Sequence, residues 1–219
     1  MPVTKIGTWF TTVNHDRADE YLDYWNQIRP QTPREIFQAW LFAFMSVKTT
    51  WQLNVRGYEA LKDLHWVNQR TSDFLLLRLK NSGAGFHNQR GKFIWEFSQK
   101  FWANPQWYIK NNNESWRTYR NRLVADVKGL SYAKTTFALE LMYPDAPICC
   151  LDRHIIRFMT GDTKLNGNIN ETTYTKLEAR WVRAAKKNSV FPVMARHIYW
   201  DDLQGYEDTR YWSHVLETE

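Results

Sequence analysis

The sequence has only two cysteines, and they are neighbours, Cys149 and Cys150. Adjacent cysteines rarely bridge to each other, so a disulfide framework is excluded and a reducing, intracellular compartment is expected. Two thiols also fall short of the four that hold an iron–sulfur cluster. His65, His197 and His214 lack metal-ligand spacing, so no metal site is expected, and without the cluster cysteines no cofactor is expected either. No apolar run approaches the roughly 20 residues of a membrane span. Met1 to Phe10 lacks the basic and apolar regions of a signal peptide, and a membrane is not expected as a partner. Convincing strand patterns are missing, as are internal repeats and linkers, apart from the polar spacer Thr160 to Asn170.

Aromatic residues, by contrast, abound: twelve Trp, twelve Phe and eleven Tyr in 219 residues. Most must build the core, which leaves a few as stacking surfaces or wedges. A net charge of +6 and a pI near 9.3 favour a polyanionic partner. The length suits one large domain or two small lobes sharing a cleft.

Apolar spacing predicts helices almost throughout. The expected segments are Asp16 to Ile28, Arg34 to Met45 with Pro33 in its first turn, Trp51 to Leu64, Ser72 to Leu79 and Asn88 to Trp102. Glu114 to Val127, Tyr132 to Met142, Asp152 to Met159, Asn170 to Lys187 and Phe191 to Leu203 complete the set. Asp152 suits a helix start, where a carboxylate caps amides and meets the positive end of the dipole. The reading is a single all-α domain over residues 1–219, built as two lobes.

Between two of these helices lie only Lys128, Gly129, Leu130 and Ser131. A helix-hairpin-helix element, here at about 115–142, needs such a turn. Glycine frees the backbone, an apolar residue pins the turn, and amides at the next helix start can hold a phosphate. Eighteen positions after Lys134 comes Asp152, in Leu151-Asp152-Arg153-His154-Ile155-Ile156-Arg157. Together these strings resemble the helix-hairpin-helix (HhH-GPD) DNA glycosylase superfamily, the group of endonuclease III, the adenine glycosylases and the 8-oxoguanine glycosylases. The Leu-Asp-Arg-His run looks most like the short 8-oxoguanine glycosylases.

The resemblance is strong over residues 122–157 and thins over 33–102. It implies a two-lobed helical fold flanking a cleft and a monomer acting on double-stranded DNA with a damaged or modified base. It implies excision of that base, with oxidised guanine the favoured substrate. Asp152 is then the carboxylate that stabilises the developing sugar cation, and Lys134 a nucleophile whose attack at C1′ gives an imine and strand cleavage. A lysine can attack only when neutral, so its surroundings must lower its pKa.

The sequence departs from the family pattern twice. Ser131 replaces the second hairpin glycine. The family lysine usually stands four residues after the first glycine, and that slot holds Ala133; counting back from Asp152 reaches Lys134 instead. One residue on a helix is about 100° of rotation. With Lys134 in the slot the enzyme is a lyase as well; with Ala133 there it is hydrolytic, or it belongs with base-modifying transferases of the same fold. A non-catalytic DNA-binding module is the third reading.

Strand-probing loops are expected at Lys48 and at Phe86, Asn88, Gln89 and Arg90. Phe86 is either a wedge that fills the hole left by a flipped base or a loop aromatic returning to the core. Asn88 and Gln89 either contact the estranged base or cap the following helix. Phosphate contacts are assigned to Lys128, Arg90, Lys92 and the amides of Gly129, Ser131 and Ala133. Phe137, Leu141, His197, Tyr199 and Trp200 are expected to wall the base pocket. His154 either orients the aspartate there or caps its turn.

Overall fold

A computed structural model of the chain describes residues 5–47, 50–66, 71–162, 164 and 169–205. Among them there is no strand. The helices are α1 (Lys5–Phe10), α2 (His15–Gln27), α3 (Pro33–Met45), α4 (Trp51–Lys62), α5 (Asp73–Asn81) and α6 (His87–Ala103). They continue with α7 (Trp116–Asp126), α8 (Tyr132–Met142), α9 (Arg153–Thr160), α10 (Glu171–Lys187) and α11 (Pro192–Gln204). Ten of the eleven match the expected segments within about two residues at each end, the usual uncertainty of helix boundaries. The eleventh, α1, is too short for its periodicity to stand out.

The chain folds into two compact units: Pro30–Ala138, and Met1–Arg29 with Leu139–Glu219. In the first, α3 is the central rod. Its start carries a full capping box: Thr32 Oγ1 accepts from Glu35 N, and Glu35 Oε2 accepts from Thr32 N at 2.9 Å and Gln31 N at 2.7 Å. Those backbone donors hold the Glu35 carboxyl below its ordinary pKa. From Ile36 to Met45 only Gln38 escapes burial. An aromatic cluster of Phe37, Trp40, Phe97, Phe101 and Tyr108 packs there, with ring centroids 5.1–6.3 Å apart. Core-building thus accounts for much of the unusual aromatic content.

The same unit carries the hairpin, and a polar frame fixes its first helix. Tyr119 donates to Tyr108 O at 2.6 Å, and Tyr108 donates to Asp126 Oδ2 at 2.7 Å. Arg122 forks onto Glu114 at 2.8 and 2.9 Å, which lowers the Glu114 pKa. The second unit buries Phe10, Trp25, Tyr174, Trp181, Ile155 and Ile156. Arg17 on α2 pairs with Asp201 and Asp202 on α11 at 3.6 and 2.9 Å, and this ties the N-terminal helices to the last described one.

Candidate active site

The hairpin turn runs from Val127 to Ser131. Val127 and Leu130 are buried and pin it from either side. Gly129 has φ +89°, and a Cβ there would lie 2.7 Å from Cγ of Phe93. Backbone and neighbour therefore both demand glycine. Ser131 is a different matter, because its φ is not positive and no glycine is required. Its carbonyl accepts from Thr135 N at 2.8 Å, so α8 begins directly after it. Serine is a favoured residue at a helix start, so the turn accommodates the first departure from the family pattern.

Helix geometry leaves the first amides of α8 without intrahelical partners, and these include those of Ser131 and Ala133. Ala133 itself is buried, 4% exposed. Lys134 is half-exposed, with Nζ 5.4 Å from the ring centre of the buried Phe137, one turn further along. Lys128 is exposed and pairs with Glu96 at 3.3 Å, a surface contact that leaves it available to a stronger anion. Lys92 is exposed.

Asp152 caps α9. Its Oδ1 accepts from His154 N at 2.7 Å and from Ile155 N at 3.0 Å. Among the described residues Oδ2 has no hydrogen-bond partner, and the side chain is half-buried. One oxygen thus fixes the group on the helix axis and the other remains open. His154 helps orient the aspartate through its backbone amide. Its ring lies perpendicular to Trp200 at 5.2 Å, and desolvation, with Arg153 and Arg157 nearby, lowers its pKa against the pull of Asp152.

Tyr199 feels the same carboxylate: burial first, then Asp152, raises its phenol. Its half-exposed ring meets Phe158 at 4.7 Å and Trp9 at 5.4 Å, two aromatics that the sequence did not single out. Of the remaining residues expected in the base pocket, Leu141 and His197 are enclosed in the core of their unit. His197 stacks on Trp25 at 4.9 Å, and burial drives its pKa well down, leaving a neutral imidazole.

Phe86 is 61% exposed with φ +57°, a left-handed conformation that a bulky residue adopts at a cost of roughly 1–3 kcal/mol. A return to the core is thereby ruled out. Asn88 and Gln89 are exposed in the first turn of α6, and no side chain caps that helix. Lys48 lies outside the described residues.

Arg90 needs correction. Expected at phosphate, it is 6% exposed and donates to four backbone carbonyls: Gly85 at 3.2 Å, Phe44 at 2.8 Å, Met45 at 2.6 Å and Val47 at 2.9 Å. Three of these are at the carbonyl-rich end of α3, where a cation is favoured. Desolvation lowers its pKa, yet it stays the charged clamp between the end of α3 and the Phe86 turn.

A protein-family model described as 8-oxoguanine DNA glycosylase matches residues 14–190. The chain belongs to that family. Its fold is that of two solved relatives. The 8-oxoguanine DNA glycosylase of Methanocaldococcus jannaschii aligns with TM-score 0.74 at 18% identity, covering 92% of each chain. That of Thermotoga maritima gives 0.73 at 16% identity, over 88% of this chain and 93% of its own. The M. jannaschii glycosylase/lyase in complex with a 15mer DNA containing 8-oxoguanine aligns at 0.72 and 18% identity, over 92% and 96%. No curated protein sequence matches. Family membership makes the chain a DNA glycosylase by lineage. No helix among the described residues is long and apolar enough to cross a membrane.

Proposed function

We propose that this protein is a DNA N-glycosylase that acts as a monomer on duplex DNA and excises a flipped, oxidised purine, with 8-oxoguanine the favoured substrate. The observation that carries the reading is the divided carboxylate of Asp152, whose Oδ1 is spent on two helix amides while Oδ2 has no hydrogen-bond partner among the described residues. As the glycosidic bond breaks, positive charge grows on the sugar. A carboxylate already oriented by amides stabilises that charge without having to reorganise.

Phe86 is the wedge, held in a strained turn by Arg90, and Asn88 and Gln89 are placed beside it to meet the unpaired partner base. The amides of Gly129, Ser131 and Ala133, with Lys128, hold the strand through its phosphates. Lys134 is the Schiff-base nucleophile. In support, Lys134 is half-exposed, so its amine is accessible, and its Nζ stands 5.4 Å from the ring centre of Phe137.

Incubation with duplexes carrying 8-oxoguanine, uracil, thymine glycol or an alkylated purine tests the reaction. Free base is expected from the 8-oxoguanine duplex; an intact nucleoside in every duplex contradicts the reading. Borohydride added during turnover is expected to trap a covalent protein–DNA band that Lys134→Ala abolishes. A second reading is favoured by one observation, the buried Ala133 in the slot the hairpin register assigns to lysine. On that reading the enzyme modifies the flipped base without releasing it. Mass spectrometry separates the two, since transfer leaves a heavier base still attached to its sugar.

A further inference from the structure

Residues 149–151 form a non-helical run whose exposures are 0, 3 and 0%. Irregular segments ordinarily run over the surface, because their peptide groups need water or other partners. Here the partners come from the core. Cys149 N donates to Glu178 Oε1 at 3.2 Å, Cys150 N to Glu140 Oε1 at 2.6 Å, and Leu151 N to Tyr174 Oη at 3.2 Å. The Tyr174 hydroxyl in turn donates to Cys149 O at 2.7 Å. Asp152 N then donates to Cys150 O at 3.1 Å, directly before the catalytic carboxylate.

Burying carboxylates for this purpose is costly. Glu140 is fully enclosed on an otherwise apolar stretch of α8, and desolvation pushes its carboxyl up to about 7 even with Arg196 at 2.9 Å and the Cys150 amide beside it. A stretch needing only to fill space would carry leucine there. From this geometry we propose that Glu140, Tyr174 and Glu178 are positioning residues that grip the backbone of Cys149–Leu151 and thereby aim Asp152. The inference rests on Asp152 being the catalytic carboxylate. Displacing such a group by about 1 Å costs on the order of 10²-fold in rate. Three side chains from α8 and α10 hold four backbone polar atoms within the three residues before it.

Tyr174→Phe removes one hydroxyl and two of these bonds while keeping the buried ring. Its single-turnover excision from an 8-oxoguanine duplex is expected to fall about tenfold or more. Its Kd for a duplex with an abasic-site analogue stays within about twofold, because strand-holding groups are untouched. The amides of His154 and Ile155, held by Asp152 Oδ1, are expected to exchange faster. The same contrast is read from Glu140→Met with Arg196→Met against Glu140→Gln with Arg196→Met. Both pairs lack the buried charges, but only the glutamine retains an acceptor for Cys150 N, and it recovers most of the lost rate. A folded Tyr174→Phe protein with parental rate and parental exchange at both amides overturns the proposal. If the parent releases no base, the functional reading fails on its own, and exchange at His154 and Ile155 still decides whether the grip aims Asp152.

Discussion

In the proposed function Asp152 performs two tasks that are often treated as alternatives. It is an ordinary helix cap, with amides at 2.7 and 3.0 Å, and the cap orients its second oxygen, which has no hydrogen-bond partner among the described residues. Sequence alone favours either role; under the proposed function one residue fills both. Glu140 is the residue that sequence reading passed over, although a lone carboxylate inside Phe137-Ala138-Leu139-Glu140-Leu141-Met142 was a visible signal. Its titration predicts a pH effect on stability. The folded value of about 7 exceeds the ordinary 4.5, so between them the folded chain keeps a proton that the unfolded chain has lost. Stability from this group is therefore full below pH 4.5 and declines as pH rises through about 7. Arg196 and the Cys150 amide oppose the shift and Asp152 adds to it. Replacing the pair by Glu140→Gln with Arg196→Met removes the titration. In urea unfolding, the stability of this variant relative to the parent should improve from pH 5 to pH 8 by up to about 3 kcal/mol. A difference that does not change with pH contradicts the assignment.

Among elements, the hairpin was the most legible, because its requirements are local. Glycine at 129, apolar residues at 127 and 130 and a helix start at 132 are all consequences of neighbouring residues. Gly129→Ala combines a disfavoured φ with a collision against Phe93, and is expected to cost about 2 kcal/mol or more. It should also weaken binding to undamaged duplex, because the amide turn is displaced. Thermal melting and a binding titration measure both; an alanine variant with unchanged melting temperature contradicts this view of the turn. The loop before α6 was only half legible. Exposed Phe86 fits the wedge expected from its position, whereas Arg90 turned inward. Four carbonyls, three of them at the end of α3, outbid solvent for its guanidinium, and carbonyls more than forty residues away leave no mark on the local sequence.

For the whole molecule, an all-helical fold followed from apolar periodicity, and family membership rests on the match across residues 14–190. The grip on Cys149–Leu151 did not show in the sequence, because Glu140, Tyr174 and Glu178 meet that run only after α8 and α10 have packed. The enclosure of Leu141 and His197 was equally hidden, since an apolar or imidazole side chain reads alike in a pocket wall and in a core. The central claim, that the molecule breaks a glycosidic bond with one pre-oriented carboxylate, has a direct test. Asp152→Asn retains a capping oxygen for His154 and Ile155 but removes the charge. Base release from an 8-oxoguanine duplex should fall by about 10³-fold or more, with duplex affinity and melting temperature near those of the parent. Release at the parental rate by a folded Asp152→Asn protein would contradict the account.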